Sequence, residues 1–528
     1  MSKFYLGNAI PYVNAAPHMG HALEAVQGDA LTRYHRMIGD DVCFLVGTDE
    51  YGSKIQQIAK EKGLKPQELA DTNSALFLEF HKRINAANDD FIRTTSERHK
   101  AGAQKLWQKL EAAGKFYDKE YEGKYCTGCE AFILDKDLVD GLCAIHKRAP
   151  EILREKNMFF KLSEYSDAIK EKVKSGELLI RPQSRRNEFL SFLEEGLQDV
   201  SFSRPKKTVA WGIEVPGHED QVMYVWCDAL SYYLSAIGYS EETEEFKKYW
   251  PADVLLIGKD IIRFQCGVLI GMLMAAGLPL PKAVYVHGFI TSEGQKMSKS
   301  LGNVVDPIAL LDEWGADPVR YYLLREVPTD EDGDFSRERF AIVYKDELQN
   351  TIGNLLRRVV TLSVKNFEAR RPVGDGALKE NIEKAWKMYH EGFTTFNIKS
   401  ALEAMIGLAR EGNLYVDQQK PWELAKTDKE SLEKVLGNLL ELCKALGEML
   451  QPVIPESAQK ILTQVGGETI TLGDPLFPSR DHSGTIASAK SAALTPLAVR
   501  ASAQVASKCV RAASETGLRA SVPRISAR

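Results

Sequence analysis

The sequence predicts an α/β fold in which a parallel sheet is built in two halves, split by an insertion and followed by an α-helical bundle. Three observations lead there. Apolar runs flank a helical pattern near the start, a second group of such runs appears past residue 220, and helical periodicity continues from about 340 to 465.

In chain order, KFYLGN at 3–8 and VCFLVGT at 42–48 are apolar runs of strand length. Between them Met19, Leu23, Val26 and Ala30 recur at steps of four, three and four, which is one face of a helix. Strand, loop, helix, strand is a βαβ unit, and its crossover makes the two strands parallel. The texture changes from about 115 to 210, with short strands, clustered cysteines and basic patches, as expected for an insertion. Strand candidates return at 222–226, 253–257 and 283–287, with an apolar helix over 264–277 between the last two. In the helical region Leu432, Val435, Leu436, Leu439, Leu440, Cys443, Leu446 and Leu450 form a wide apolar stripe, as in a bundle. The expected boundaries are 1–115 for the first half of the sheet domain, 116–210 for the insertion and 211–340 for the second half. The bundle then takes 341–478 and a tail 479–528.

A chain of 528 residues should hold two or three domains. Net charge is −5, so no global basic field advertises nucleic acid, and DNA is not an expected partner; reading one RNA needs only a local basic face. No membrane partner is expected either, because the uncharged stretch 264–281 carries Gln265, Gly267, Gly271, Gly277, Pro279 and Pro281, which suits a buried helix ending in a loop. Met1 to Lys3 runs directly into a strand without a targeting signal, and of eight cysteines only three cluster. Both features point to a reducing, cytoplasmic setting.

No G-x-G-x-x-G and no complete G-x-x-x-x-G-K-[ST] is present; GTDEYGSK, 47–54, has the last letters wrong. H-E-x-x-H is also absent. The chemistry therefore turns on PHMGH. His18 and His21 are three apart at a helix start, where unpaired backbone N–H groups favour anions, and Gly20 would let a base or ribose approach the backbone. Taken alone, the pair could handle phosphate, pack in the core or bind metal.

GQKMSKS, 294–300, changes the balance. Lys296 and Lys299 in a Gly- and Ser-rich loop just after a strand form a cationic clamp. With PHMGH ahead of it in a split parallel sheet, the combination resembles the paired signatures of class I aminoacyl-tRNA synthetases. The resemblance implies a Rossmann-like sheet and attack of an amino-acid carboxylate on the α-phosphate of ATP. His18, His21, Lys296 and Lys299 would stabilise the charge that develops on phosphate. NAIPYVNAAPHMGHALEAVQGDALTRYHR, FLVGTDEYG, VMYVWCDALSYY, IGKDIIRF and VHGFITSEGQKMSKSLGN are similar to the methionyl-tRNA synthetase family in particular, over roughly residues 3–478. That likeness implies tRNA(Met), ATP and L-methionine as partners. His18, Gly20, His21, Gly258, Asp260 and Lys299 would contact ATP. Ala9, Ile10, Tyr12, Trp226, Leu230, Tyr233, Ile261 and Gln265 would line a methionine slot, an apolar and aromatic setting suited to a thioether. Asp49 would take the α-amino group. The family usually has histidine where this chain has Gln265, followed by an aromatic and Trp-Pro; here the text reads FQCGVLIGMLM. The span from His21 to Lys296 is too short for the large editing insertion of the isoleucine, valine and leucine enzymes.

The inserted segment holds Cys126, Cys129, Cys143 and His146 as C-x2-C, thirteen residues, then C-x2-H. Two close pairs at that separation suit a tetrahedral zinc knuckle with a structural Zn2+, free thiols being the alternative. Mg2+ is implied only through ATP. By resemblance the bundle reads the anticodon, with Trp422 stacking on a base and Asn354 and Arg358 nearby. From 480 on there are eight Lys or Arg against two acids and few large apolar residues, so the tail is expected to be a disordered basic arm.

Overall fold

The computed structural model describes residues 2–133, 135–145, 147–292, 294–297, 305–328 and 331–480. The expected tail therefore lies almost entirely outside the described residues.

Six strands form the main sheet: β1 (Lys3–Asn8), β2 (Asp41–Thr48), β3 (Asp90–Arg93), β4 (Leu179–Arg181), β5 (Val254–Gly258) and β6 (Ala283–His287). Their order is β3-β2-β1-β5-β6-β4, and every pairing is parallel. β1 is thus the seam, paired on one side with β2 and on the other with β5 from the second half. Tyr5 and Leu6 on β1 have no exposed surface, because helices cover both faces of such a sheet. At a seam of this kind the chain leaves the two central strands in opposite directions and opens a crevice at their carboxyl ends. The loop after β1 leads directly into helix α1 (Met19–Met37) at that crevice.

Two strands depart from the sequence expectation. The run 222–226 is not in the main sheet. His218–Met223 is the middle of a three-stranded antiparallel sheet with Ser203–Pro205 and Glu214–Val215, and Val225–Leu230 is already helical. A short apolar run does not by itself distinguish strand from buried helix. Conversely, β4 lies inside the stretch read as an insertion yet closes the edge of the sheet beside β6. Three residues are too few to leave a periodic signal.

The inserted segment is built on a long antiparallel ribbon, Phe116–Cys126 against Glu151–Phe160, with Ala131–Ile133 and Val200–Ser201 at its edges. The apolar stretch near 264 is helical, Arg263–Leu269 as a π-helix and Ile270–Ala275 as an α-helix. Among the described residues no helix is long and apolar enough to cross a membrane. The C-terminal helices include Lys379–Thr394, Ile398–Gln419, Lys429–Leu450 and Pro455–Val465, and every residue of the Leu432–Leu450 stripe is buried.

Candidate active site

Helix α1 begins with a reciprocal cap made of two histidines. His18 is the extended N-cap residue, with φ −127° and ψ 176°. Its Nδ1 accepts from the Gly20 N–H at 3.1 Å, and Nδ1 of His21 accepts from the His18 N–H at 3.2 Å. Two orphan donors of the helix start are satisfied this way. The rings stack 3.6 Å apart at 15°. An imidazole whose Nδ1 accepts must, when neutral, carry its proton on Nε2. Burial lowers the His18 pKa; it lowers that of His21 well below the ordinary value, helped by His18, His81 and His287. The helix start therefore presents two neutral Nε2–H donors.

Around them stands a polar cluster. Glu24, one turn beyond His21, lies 3.2 Å from Nε2 of His287, whose Nδ1 donates to the Gly288 carbonyl at 2.8 Å. Burial opposes the imidazolium of His287, but the hydrogen bond and charge of Glu24, the Gly288 carbonyl and Asp260 together outweigh it and raise the pKa. Burial raises the Glu24 carboxyl. Gly258 ends β5 at this point. A Cβ there would meet Oδ1 of Asp260 at 2.9 Å, so glycine lets Asp260 fold back toward the cluster. Asp260 also acts electrostatically on His18 and His287. The structure thus gathers His18, Gly20, His21, Gly258 and Asp260. The backbone at Lys296 pairs with Thr291, while its side chain and the whole of Lys299 lie outside the described residues.

Beside this cluster lies an aromatic slot. Tyr12 meets Trp226 edge-on at 6.2 Å and 83°, and Trp226 stacks on Phe264 at 4.0 Å and 3°. Leu230 and Tyr233 are buried in the same core, with Ala9, Ile10 and Ile261 packed against it. Gly7 permits this, because a Cβ on β1 would lie 2.7 Å from the Tyr233 ring. An isolated parallel bridge joins Tyr12 to Asp49, with Asp49 N–H donating to the Pro11 carbonyl at 2.9 Å.

The slot contains buried polar atoms without partners among the described residues: the Tyr12 hydroxyl, Oδ1 of Asp49, Oδ2 of Asp228 and Nε2 of Gln265. Each such atom costs about 1–3 kcal/mol when left unpaired. Burial, then the neighbouring Asp228, raise the Asp49 carboxyl well above its usual range. Asp228 is held through Oδ1 by Nε2 of His99 at 3.4 Å, and His99 by Ser235 at 2.9 Å. Two buried carboxyl groups that act on each other electrostatically favour a cation nearby, while Gln265 offers an amide donor and Tyr12 a hydroxyl.

In the inserted segment the sulfurs of Cys126, Cys129 and Cys143 lie within 4.8 Å of one another, Cys129 and Cys143 at 3.6 Å. Tetrahedral thiolates around Zn2+, with Zn–S near 2.3 Å, place sulfurs about 3.8 Å apart, so the three fit such a site. Burial raises the Cys129 thiol, which disfavours thiolate unless a cation is bound. His146, the expected fourth ligand, lies outside the described residues.

In the bundle, the Arg358 guanidinium stands 5.4 Å over the Trp422 ring and pairs with Asp417 at 2.9 Å. Trp422 remains 38% exposed. Asn354, one turn before Arg358 at the start of helix Asn354–Phe367, is also exposed. Arg358 and Trp422 thus meet at the surface, with Asn354 one helical turn away.

Motif reading passed over Asp228, Phe264, Glu24 and His287. Asp228 and Phe264 sit inside the matched stretches VMYVWCDALSYY and IGKDIIRF, and a charge inside an apolar run was an available signal. Glu24 and His287 also sit inside matched stretches, NAIPYVNAAPHMGHALEAVQGDALTRYHR and VHGFITSEGQKMSKSLGN, but their pairing left no signal, since β6 meets α1 only in the folded chain.

A split parallel sheet with a histidine-capped helix at its seam and an aromatic cluster with buried carboxyl groups alongside is the arrangement of a class I aminoacyl-tRNA synthetase. The family described as "tRNA synthetases class I (M)" matches residues 4–143 and 133–360, and the "Anticodon binding domain of methionyl tRNA ligase" matches 371–477. The methionine–tRNA ligase of Rickettsia felis is 43% identical over 474 residues, spanning 88% of this chain and 92% of that protein. The Brucella suis protein of the same name is 41% identical over 470 residues, spanning 87% and 91%. The Mycobacterium tuberculosis methionyl-tRNA synthetase in complex with methionyl-adenylate superposes with a TM-score of 0.87 at 38% identity, covering 91% of this chain and 100% of that one. The chain belongs to the methionine–tRNA ligase family.

Proposed function

We propose that the chain activates L-methionine with ATP to methionyl-adenylate and pyrophosphate, and then transfers the methionyl group to tRNA(Met). The observation that carries this reading is the pair of neutral Nε2–H donors at the start of α1, set beside an aromatic slot with two unpartnered carboxylate oxygens. In it, Asp49, with Asp228 behind, receives the α-ammonium, and Tyr12, Trp226, Leu230 and Tyr233 enclose the thioether. Gln265 offers its amide to the same slot. The methionine carboxylate attacks the α-phosphorus and pyrophosphate leaves. His18 and His21 donate to phosphate oxygens as charge builds, with Lys296 and Lys299 as cationic partners and Gly20, Gly258 and Asp260 along the nucleotide. A terminal ribose hydroxyl of the tRNA then attacks the adenylate carbonyl and AMP departs.

Cys126, Cys129, Cys143 and His146 would hold a structural Zn2+ with no position left for water. Mg2+ bound with ATP would offset phosphate charge. Trp422, backed by Arg358 and with Asn354 beside it, would stack on an anticodon base, and the setting is cytoplasmic. ATP–pyrophosphate exchange run with each of the twenty amino acids tests the reading. Methionine alone should support rapid exchange, and exchange led by any other amino acid overturns it.

A further inference from the structure

The segment Cys129–Glu130 touches both walls of the aromatic slot. Glu130 is 2% exposed and sits at φ 52°, a left-handed conformation that residues with a Cβ adopt at a cost. Its carboxylate accepts from the Ser53 hydroxyl at 2.7 Å, from the Lys54 backbone N–H and from the Tyr125 hydroxyl. Ser53 and Lys54 open the helix Ser53–Glu61, whose N-cap residue is Gly52 and has no side chain to cap with. Glu130 does that work from another part of the chain, and a carboxylate is the group a helix start favours. At Gly52 an added Cβ would sit 3.0 Å from Oε1 of Glu130, so the missing side chain leaves room for it. The capped turn follows Asp49 closely, and Nζ of Lys54 returns over the Tyr12 ring at 5.3 Å. On the opposite wall, Nε1–H of Trp226 donates to the carbonyl of Cys129 at 3.5 Å.

We propose that Glu130 is a positioning residue for the amino-acid slot: it fastens the cysteine-bearing loop to the Asp49–Lys54 turn, while Cys129 steadies Trp226. Two of its three partners, Ser53 and Lys54, belong to that turn. With Glu130 in place, the ammonium-binding and thioether-binding walls are held at a set separation before substrate arrives, which lowers the ordering cost of binding. Among the described residues the hydrogen bonds of Glu130 go to Ser53, Lys54 and Tyr125, so the His18–His21 cap and the Glu24–His287 pair should not respond to it. The inference rests on the reading that the slot takes methionine.

The test is equilibrium titration of L-methionine by intrinsic tryptophan fluorescence, with metal content and the KM for ATP measured on the same full-length preparations. Glu130→Ala should raise the methionine Kd about tenfold or more, while one metal per chain is retained and the ATP KM stays within about twofold. Glu130→Gln, whose amide oxygen can still accept from the Lys54 N–H, should recover most of that loss. An unchanged Kd in a metal-replete Glu130→Ala, or a Gln variant as impaired as Ala, overturns the proposal. Should the Ala variant lose metal or fail to fold, Ser53→Ala decides: it breaks the contact from outside the cysteine loop and should raise the Kd about two- to fivefold, and no rise overturns the proposal. Wild-type protein that fails to bind methionine would instead sink the reading of the slot itself.

Discussion

Arg320 donates to Asp29 at 2.5 Å with neither side chain exposed to solvent. The same guanidinium donates to the carbonyls of Ile84, Pro452 and Val453 at 3.1, 3.1 and 2.8 Å, while Asp29 also accepts from the Ala87 N–H and from Arg33. One ion pair thus joins α1, the loop before β3 and the turn between two helices of the bundle. The helix that presents His18 and His21 at one end is locked to the bundle near its middle.

Removing Asp29 leaves the Arg320 charge buried without a carboxylate, which costs about 3–5 kcal/mol, whereas removing Arg320 leaves Asp29 still paired with Arg33. Asp29→Ala should lower the denaturant midpoint by that equivalent and Arg320→Met by less, with no further loss in the double variant beyond the larger single effect. A shift under about 1 kcal/mol in either would show that the junction contributes little.

His21→Asn separates two roles of one ring. The shorter side chain can still accept the His18 N–H, but it places no donor where Nε2–H stood. The adenylation rate should fall roughly a hundredfold, near 3 kcal/mol, while thermal stability changes little. An exchange rate equal to wild type would remove His21 from the chemistry.

Asp49 carries a pH signature. Burial and Asp228 raise its pKa in the free protein, whereas a bound ammonium favours the ionised carboxylate, so methionine binding should release a proton. Affinity should therefore weaken as pH falls through the Asp49 titration and level off above it. The stability sign is opposite: a raised carboxyl pKa means the folded state holds its proton more tightly, so this group's contribution is lost as pH rises. Asp49→Asn should melt higher than wild type near neutral pH and bind methionine far more weakly. A variant that melts lower, or binds normally, contradicts the assignment.

The three cysteines make a prediction about composition. Protein purified without chelator should carry one zinc per chain, and Cys129→Ser should lose it and loosen the ribbon between Phe116 and Phe160. Elemental analysis finding no metal in the wild-type chain would refute the knuckle.

Trp422→Ala should impair charging of tRNA and leave ATP–pyrophosphate exchange almost untouched. An aromatic that stacks on a base contributes about 1–3 kcal/mol to binding. Equal damage in both assays would make the ring a packing residue beneath Arg358.

Much of this protein is written locally and was legible without a fold. The βαβ start follows from Met19, Leu23, Val26 and Ala30 on one helical face, and the bundle from the Leu432–Leu450 stripe, because periodicity is a property of neighbours in sequence. His18 and His21 are likewise near in sequence, and so are Cys126 and Cys129, so their partnership survives without tertiary information. What needed the folded chain were the meetings across long loops. β4 found the sheet edge because β6 left it open, and the run 222–226 divided into strand and helix because its two ends pack against different neighbours. Asp49 faces Asp228, Glu24 faces His287, and Glu130 caps a helix it does not belong to. A buried carboxylate acquires its partner and its pKa from whatever the sheet brings within a few ångströms, and that distance is set by packing, not by spacing along the chain.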